Sequence, residues 1–563
     1  MSELGTTYTF IGGNNKKRIG GSCSVVTHKH SKYNRPTRIM FDLGALFAPE
    51  YCLDVDAAIP DVREYLNSEN SLASKKIDAM FISHAHEDHV GGYVHLLRAG
   101  FEMPPTYASK ETLELLKSAL IEAGIDKSKW PEMVEVKANE PIQFEGLEIE
   151  AINMSHSTIG ALGYHTLTKI DDKVEAGIFH PGDYHLGDVR VGEGFNEKTL
   201  ADLMKRKPVT HVILDSTSTA SDDKFLVTHS EAVENTANVV NQHPEKQVIS
   251  AVISRSIQNL AIDLDVARQT GRKIYLDGYW AKIAFKAMQN SGYHEFDDIV
   301  FKGSASEYKS KVPASKRYII TSGAFAESKK GLKSGLYKMS EQEKVKTKKD
   351  KKDKNPTETE NQKLGHPDFV IDTNCLILAR QRCIEEINGK QVRAMYNRLA
   401  ALGATIVANE SENPLGNYQT AKMQRSGHAV NSETQKMVKM ILANQENPYS
   451  VIFIPTHGNS KQMINTNKAV TLAGGKFFSA DNLDVLKLSK GEVKKVDELT
   501  SDFWIGVCED SNFASGERTY TYTLVDDCFV VVEELKTVKK NIIRKNNSKN
   551  KTQKFNKTEY KTR

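Results

Sequence analysis

The sequence predicts a layered α/β protein in which β-strands and α-helices alternate along the chain. Short apolar segments bounded by glycine-rich or polar turns are typical of strands. Apolar residues spaced along one helical face predict helices near 93–98 and over 110–123. The predicted N-terminal strands are 8–11, 21–26, 38–43, 76–82, 106–108, 133–136 and 147–152. Many strands followed by helices fit a sandwich, because each apolar sheet face needs a covering layer.

The length and composition indicate a large globular protein with more than one core. A chain of 563 residues is too long for a single core, so we expect about two to four domains. There is no apolar run of about 18 residues and no signal-peptide pattern at the N-terminus. Six cysteines are scattered without CxxC spacing, as in proteins with reduced thiols. We therefore expect a cytoplasmic protein with no membrane segment.

The segment 81–92 contains the most informative cluster of polar residues in the chain. His84, His86, Asp88 and His89 lie within six positions, directly after the apolar run 80–82 and before two glycines. Imidazole nitrogen and carboxylate oxygen are ligands that suit zinc or a similar borderline metal. A solvated histidine-rich loop is the alternative, but three histidines and an aspartate at the end of a buried strand favour a metal site.

Two later segments repeat the pattern of a strand followed by a polar loop. The predicted strand 149–154 leads to His156, and the predicted strand 175–179 leads to Asp183. A lone histidine after a strand is usually structural. Together with the first cluster, however, these residues complete a plausible site for two metal ions.

The first cluster resembles the HxHxDH signature of the metallo-β-lactamase superfamily, which has an αββα sandwich fold. The resemblance implies that one metal is held by three histidines, a second by Asp88 and two further histidines, and that Asp183 bridges both. The implied metal ligands are His84, His86, Asp88, His89, His156, Asp183 and His457. Two Zn²⁺ ions per chain are expected, and Mn²⁺ or Mg²⁺ are alternatives in vitro.

Three further segments resemble motifs A, B and C of the β-CASP nucleases, which insert an α/β domain into this fold. They are the predicted strand 210–215 that ends in Asp215, the segment 426–429, and the segment 452–458. The intervening residues contain alternating strands and helices, with strands predicted at 246–253, 271–276 and 317–321. We expect this insert to form a small parallel-sheet domain.

Within this group, the order and separation of the motifs are most similar to the ribonuclease J family, over roughly residues 8–490. The resemblance implies that Asp215 orients His428, which acts as an acid or contacts phosphate. Ser426 and Gly427 are expected to bind phosphate oxygens with their backbone amides. The family usually has glutamate after the His-Gly of motif C, where this chain has Asn459.

These features predict a ribonuclease that hydrolyses phosphodiester bonds with a metal-activated water. The expected substrate is single-stranded RNA. The enzyme is expected to act as a 5′ exonuclease, an endonuclease or both, in RNA processing or decay. Asp88, Asp183, Asp215 and His428 are the expected catalytic residues. The alternatives are a DNA nuclease of the Artemis type and a non-catalytic nucleic-acid-binding subunit of the same fold. In the family, a histidine at motif C is typical of RNA-acting members, so His457 favours RNA.

The predicted boundaries divide the chain into a core that is interrupted by the insert and followed by two C-terminal segments. They are a metallo-β-lactamase core over 1–216 and 416–490, a β-CASP insert over 217–415 that includes a mobile Lys-rich insertion at 338–363, a small β-rich appendage over 491–537, and a disordered basic tail over 538–563. Residues 539–563 contain ten Lys or Arg against Glu559 alone, so the tail can hold a polyanion or merely increase solubility. A homodimer or homotetramer is the expected assembly.

Overall fold

The structure is a computed structural model that describes most of the chain. The described residues are 4–14, 19–47, 56–68, 72–221, 223–253, 255–323, 335–342, 366, 368–380, 389–411, 414–499, 504–512, 517–525 and 531–541. Within these residues, no helix combines the length and the apolar character needed to cross a membrane.

The strands and helices predicted for the first part of the chain are present close to their predicted positions, together with others that the sequence analysis did not predict. Its strands are β1 (Gly5–Gly12), β2 (Cys23–Lys29), β3 (Thr37–Phe41), β4 (Leu46–Phe47), β5 (Ala57–Pro60), β6 (Ala79–Phe81), β7 (Thr106–Ala108), β8 (Met133–Glu135), β9 (Pro141–Phe144), β10 (Leu147–Asn153), β11 (Leu162–Ile170), β12 (Lys173–His180) and β13 (His211–Asp215). Its helices are α1 (Glu87–Ala99), α2 (Lys110–Glu122) and α3 (Glu197–Arg206). Helix α1 begins earlier than predicted, because Glu87 and Asp88 occupy its first turn, where acidic side chains are favoured.

The middle part alternates helices with short strands, as predicted for the insert. Its helices are α4 (His229–Asn241), α5 (Ile257–Gln269), α6 (Tyr279–Asn290), α7 (Ala305–Lys311), α8 (Leu336–Ser340) and α9 (Gly389–Ala401). Its strands are β14 (Gln247–Ala251), β15 (Lys273–Leu276), β16 (Arg317–Thr321), β17 (Cys375–Ala379), β18 (Thr405–Asn409) and β19 (Gln419–Ala421).

The last part contains two helices, with strand β20 between them, and then a run of strands. The helices are α10 (Asn431–Ala443) and α11 (Ser460–Leu472). The strands are β20 (Ile452–Thr456), β21 (Lys476–Phe477), β22 (Asp484–Ser489), β23 (Glu492–Glu498), β24 (Trp504–Asn512), β25 (Glu517–Val525) and β26 (Val531–Asn541). Short 3-10 helices lie at Lys127–Lys129, Asp223–Phe225, Ala314–Lys316 and Pro448–Ser450.

Two large sheets pack face to face and form the centre of the molecule. The first has the strand order β23-β22-β1-β2-β3-β6-β7-β8, and the second has the order β21-β20-β13-β12-β11-β10-β9. Their inner faces share one buried cluster, in which Phe41 and Phe81 of the first sheet contact Tyr164 of the second. The ring centroids of Phe81 and Tyr164 are 5.2 Å apart. This cluster excludes water from the space between the sheets.

Helices cover the two outer faces of this sandwich. Leu97 of α1 and Leu116 of α2 belong to the cluster that contains Met80 of the first sheet. On the opposite side, Leu203 of α3 and Val470 of α11 belong to the cluster around the second sheet. The result is an αββα sandwich, so the predicted metallo-β-lactamase fold class is confirmed.

The insert forms a separate parallel sheet of order β15-β16-β14-β17-β18-β19. Alternate residues of its strands enter two clusters, with Ile320 on one face and Ile319 on the other. The sheet extends to Ala421, beyond the boundary predicted at residue 415. Strand β19 has no buried residue, so it leaves no apolar pattern for a sequence-based prediction.

The predicted appendage supplies most of a fourth sheet, which has five strands. Strands β24, β25 and β26 continue a sheet with β5 and β4, in which Ile505 is the register partner of Ile59. Ile505 and Val507 belong to the same buried cluster as helix α1. Strand β23 instead pairs with β22 in the first sheet, beyond the boundary predicted at residue 490. It is a charged and mostly exposed edge strand, so its sequence gives little strand signal.

Two predictions of disorder need correction where the structure describes them. Residues 338–340 of the predicted Lys-rich insertion belong to helix α8, and Met339 is buried because it packs in a cluster of the insert. Strand β26 includes residues 538–541 of the predicted tail, because backbone pairing with β25 extends to Asn541. Residues 343–365 and 542–563 lie outside the described residues.

Candidate metal centre

The first metal-binding segment is fixed by a tight junction between strand β6 and helix α1. The backbone N–H of Asp42 donates to the carbonyl of Phe81, and the N–H of Leu43 donates to the carbonyl of His89. A Cβ at Gly44 would lie 1.7 Å from the carbonyl oxygen of Asp88. Only glycine fits this close approach, which holds Asp88 and His89 on the first turn of α1 against strand β3.

Three histidines from two loops direct ring nitrogens at a common point. His86 Nδ1 lies 3.0 Å from His84 Nε2 and 2.9 Å from His156 Nε2. Burial and the neighbouring imidazoles hold the pKa of His84 and of His86 well below the ordinary value, and they lower the pKa of His156 to about 4. Neutral imidazoles with converging lone pairs form a donor set that fits a zinc ion.

A second group of ligand atoms lies beside the first. His89 Nε2 is 3.0 Å from Asp183 Oδ2, and His457 Nε2 is 3.1 Å from Asp88 Oδ2. Asp183 Oδ2 also lies 3.9 Å from His84 Nε2. Asp183 therefore contacts both groups, the position that a bridging carboxylate needs. The four ligand atoms of the second group lie within 4.8 Å of one another.

His457 is held in an unusual backbone conformation directly after strand β20. Its φ of 55° is left-handed, and its N–H donates to the carbonyl of Gly13 over 2.8 Å. The Thr217 hydroxyl donates to the His457 carbonyl over 2.7 Å and lies equally close to Nδ1. Because that hydroxyl proton is already used, Nδ1–H donates to Thr217 and Nε2 is left to face Asp88.

Burial and the neighbouring carboxylates have opposite effects on the pKa of the imidazoles in this second group. Burial alone would lower the pKa of His457, but Asp183, Asp215 and Asp88 raise it to about 10. Burial also lowers the pKa of His89, but the carboxylates of Asp183 and Asp42 outweigh it and raise that pKa well above its ordinary value. The excess of carboxylate charge attracts cations, so this group also fits a metal ion.

Asp215 and His428 form a pair next to the second group. His428 Nδ1 lies 2.9 Å from Asp215 Oδ2 and 3.8 Å from Asp183 Oδ2. Although burial opposes the shift, Asp215 and then Asp183 raise the pKa of His428. Because Nδ1–H is directed at Asp215, Nε2 is the ring nitrogen left for another partner.

Ser426 and Gly427 lie against the metal ligands. The carbonyl of Gly427 accepts from His156 Nδ1 over 2.6 Å, and a Cβ at Gly427 would lie 2.7 Å from the His156 ring. The Ser426 hydroxyl accepts from the backbone N–H of His428 over 3.2 Å. The carbonyl of Gly427 thus fixes the orientation of His156, a role that the sequence did not reveal.

Asp42 is the carboxylate that the sequence analysis missed. Its side chain accepts from the backbone N–H and the hydroxyl of Ser83, over 2.7 and 2.8 Å, and from His89 Nδ1 over 2.8 Å. This contact directs His89 Nε2 toward Asp183. An acidic residue at the end of strand β3, followed by Leu-Gly, was the available signal, but its distance of 47 positions from His89 concealed the pairing.

Asn459, the departure from the family pattern, caps a helix. Its side chain accepts from the N–H of Gln462 over 3.1 Å at the start of α11. Asparagine is among the best residues at this position. The substitution therefore supports the helix that follows His457 and leaves the ligand nitrogen in place.

The chain is similar in sequence to known proteins. The family model "Beta-lactamase superfamily domain" matches residues 55–250. A ribonuclease J from Helicobacter pylori is 24% identical over 492 residues, covering 86% of this chain and 61% of that protein. A ribonuclease J from Thermus thermophilus is 24% identical over 467 residues, covering 82% of this chain and 71% of that protein. The chain thus spans about three fifths of the length of the Helicobacter relative.

One solved structure matches over most of the chain. It is a protein of unknown function from Enterococcus faecalis, with a TM-score of 0.52 and 18% identity, covering 85% of this chain and 98% of that one. This likeness concerns the fold. Together with the sequence matches, it shows a metallo-β-lactamase fold in a chain that is similar to ribonuclease J over most of its length.

Proposed function

We propose that this ribonuclease J-like chain is a metal-dependent ribonuclease of the β-CASP group. The observation that carries the proposal is the convergence of all seven predicted ligands into two adjacent groups, with Asp183 in contact with both and the Asp215–His428 pair beside them. An intact ligand set argues against the non-catalytic alternative. The ribonuclease J name of the relatives supports RNA as the substrate.

The ligand assignment follows from the ring nitrogens and carboxylate oxygens that converge. His84, His86 and His156 would hold one ion, Asp88, His89 and His457 would hold the other, and Asp183 would bridge them. Four or more histidines make zinc a better match than magnesium. When bound, the two ions would supply the charge that lowers the pKa of a water and neutralises a phosphate.

The residues of the chain provide orientation and proton transfer. Asp42 fixes His89, and the Gly427 carbonyl fixes His156, each through the ring nitrogen that is not a ligand. Asp215 holds His428 Nδ1, so a proton at His428 Nε2 is positioned for a leaving oxygen or a phosphate oxygen. A general acid of this kind typically contributes about 10²- to 10⁴-fold in rate.

We also propose that the site lies in a groove between the core and the insert. Helix α6 of the insert contacts helix α2 of the core, where the Tyr279 hydroxyl donates to the carbonyl of Ser118 over 3.1 Å. Arg190, in the loop after Asp183, forms ion pairs with Asp265 and Glu295 of the insert. Inter-domain clefts are common sites for ligands.

One set of substrates tests this function and its alternatives. The purified protein is incubated with 5′-monophosphorylated, 5′-triphosphorylated and circular single-stranded RNA, and with the DNA equivalents. Mononucleotide release from monophosphorylated RNA alone indicates a 5′ exonuclease, and cleavage of the circle indicates an endonuclease. Cleavage of DNA alone would favour the Artemis-type alternative, and binding without any cleavage would favour a non-catalytic subunit.

A matched pair of variants ties the activity to the metal centre. His86→Ala removes a predicted ligand, and we expect it to abolish cleavage and to reduce the zinc content measured by elemental analysis, with the circular dichroism spectrum unchanged. His294→Ala removes an imidazole with an exposed side chain in the insert and should preserve both properties. Less than one zinc per wild-type chain after refolding with zinc would contradict the proposal.

A further inference from the structure

We propose that the segment 255–258 of the insert is a brace that sets the geometry of the three-histidine group, with Arg255 as its central positioning residue. Residues 255 and 256 precede helix α5, and residues 257 and 258 form its first turn. The segment reaches the core at the two loops that carry His84, His86 and His156. This inference rests on the proposed function, because it requires that the three histidines hold a metal ion.

Arg255 holds the first of these loops through its backbone. Its guanidinium NH1 donates to the carbonyl of Ala85 over 2.8 Å. Ala85 lies between His84 and His86, so this bond fixes the Ala85–His86 peptide, which adjoins His86 and is one residue from His84. The Arg255 side chain is 93% buried, and the residue has a φ of 67°. A buried arginine in a left-handed conformation costs free energy, which indicates that surrounding contacts hold it in place.

Two more contacts fix the guanidinium in position. NH1 also lies 3.2 Å from Glu87 Oε2, on the partly exposed side of the loop. The guanidinium carbon lies 4.4 Å from the ring centroid of Trp280 in helix α6 of the insert. A planar guanidinium can stack on the indole while it donates to the carbonyl and the carboxylate. A lysine ammonium cannot reproduce this combination.

Gln258 holds the second loop. Its backbone N–H donates to the carbonyl of Ser157 over 3.0 Å, one residue after His156. The Ser157 hydroxyl lies 3.4 Å from His86 Nε2, so the two loops also meet at this residue. The Gln258 side chain accepts from the N–H groups of Arg190 and Val191, which anchors it in the core.

Both loops of the three-histidine group are therefore held by one short segment of the insert. A movement of the insert relative to the core would therefore strain or break the hydrogen bonds to the Ala85 and Ser157 carbonyls together. Tight metal binding by the histidines consequently requires a docked insert. Among the described contacts, the ligands of the second group make no direct hydrogen bond to residues 255–258. Asp42 orients His89, and Thr217, two residues after strand β13, orients His457.

Zinc affinity measures the dependence of metal binding by the three histidines on the docked insert, and it does so independently of catalysis. The full-length protein is freed of metal and titrated with zinc against a chromophoric chelator, and His86→Ala identifies which binding equivalent belongs to the three histidines. We expect Arg255→Gln to weaken that equivalent about 10- to 100-fold, as is typical when a residue that orients metal ligands is lost. The other equivalent should keep its affinity. Arg255→Lys should restore little of the loss, because it retains the charge but not the planar contacts.

Asn290→Ala is the matched control, because it removes a different hydrogen bond between the insert and the core, from Asn290 to Glu114, at the opposite end of helix α6 from Trp280. It should leave both zinc affinities unchanged. If Arg255→Gln fails to fold, Glu87→Gln releases the partly exposed partner of Arg255, and a several-fold loss at the same equivalent is expected.

The outcomes separate this inference from the proposed function. A wild-type protein that binds no zinc through the histidines would refute the proposed function and the brace with it. Two wild-type equivalents, with unchanged affinity in Arg255→Gln or, where that variant does not fold, in Glu87→Gln, would refute the brace alone. An equal loss at both equivalents would also refute it, because the effect would then be a general one.

Discussion

At the scale of single residues, the predicted metal ligands are oriented by partner groups that are not themselves predicted ligands. Each imidazole has two ring nitrogens, and the partner of one nitrogen decides which direction the other faces. Asp42 does this for His89, the Gly427 carbonyl for His156, and Thr217 for His457. Substitution of these partners should change metal affinity without removing a ligand.

Asp42→Asn tests this dependence with a nearly isosteric change. The asparagine would direct either a neutral oxygen or an amide N–H at His89 Nδ1, so the charge-assisted hydrogen bond to the imidazole would be lost. We expect zinc affinity to fall about 10- to 100-fold. Asp78→Asn is the control, because Asp78 pairs with the exposed side chain of Arg35. Equal zinc affinity in both variants, measured by chelator competition, would mean that Asp42 has no orienting role.

His428→Gln separates a catalytic role from a ligand role. His428 pairs with Asp215 and lies outside the two ligand groups assigned to metal, so the variant should retain two zinc ions. Without the proton at Nε2, turnover of saturating RNA should fall about 10²- to 10⁴-fold. Elemental analysis together with single-turnover kinetics distinguishes the roles. A loss of zinc parallel to the loss of turnover would identify His428 as a ligand instead.

At the scale of secondary structure, strand β11 contains a buried histidine that makes the stability depend on pH. The Nε2–H of His165 donates to the carbonyl of Pro208 over 2.9 Å, and its buried Nδ1 has no hydrogen-bond partner among the described residues. Burial lowers the pKa of His165 to about 4, from an ordinary value of 6.5. The folded state therefore keeps this imidazole neutral where the unfolded chain would protonate it.

Protonation of His165 in the unfolded chain lowers the free energy of unfolding at acid pH. Between pH 6.5 and about 4 the unfolded chain binds one more proton at this residue, so stability falls as the pH falls through this window. The contribution is on the order of 3 kcal/mol, at about 1.4 kcal/mol per pKa unit. His165→Gln keeps a donor for Pro208 but cannot titrate. Chemical denaturation from pH 7 to pH 4 should show a shallower decline for the variant, and parallel declines would contradict the neutral assignment.

At the scale of the whole molecule, distant parts of the chain complete each other's sheets. Strand β22 pairs with β1, and β24 pairs with β5, so residues after 480 extend two different sheets that begin with N-terminal strands. The side chain of Arg98 in α1 stacks on Tyr520 of β25 at 3.9 Å. Because α1 also carries Asp88 and His89, the C-terminal strands support the helix that presents two predicted ligands.

The basic segment after strand β26 is expected to affect the binding of long RNA and not the chemistry at the site. Residues 542–563 contain eight Lys or Arg against one Glu. Deletion of this segment should weaken the binding of long RNA and flatten its salt dependence, since each phosphate contact on a single strand contributes about −0.7 to the slope. Turnover of a short, saturating RNA should not change. Filter binding at several salt concentrations, together with steady-state kinetics, checks both expectations.

The outcomes of that deletion are distinct. Loss of turnover at saturation would place the segment in the fold or the site, and unchanged affinity would leave a role in solubility. Deletion should begin at residue 542 instead of 539, because strand β26 ends at Asn541.

The sequence by itself determined the fold class and the seven residues that converge as ligand atoms. It could do so because these residues follow buried strands at short, characteristic spacings, and the ends of neighbouring strands meet at one edge of a sheet. Local patterns also located most strands, such as β16 at Arg317–Thr321. Several strands were not predicted, among them the largely buried β11, the charged edge strand β23 and the exposed β19. Strands β23 and β19 lack an apolar face, and their pairing uses backbone groups.

Only the tertiary structure decided which partners orient the ligands and where the C-terminal strands belong. Asp42 is 47 positions from His89, and Arg255 is 170 positions from Ala85. The carbonyls of Ala85 and Gly427 carry no sequence signal, because every residue has one. Contacts of this kind depend on where the folded sheets bring the backbone, and the pattern of side chains along the chain does not contain that distance.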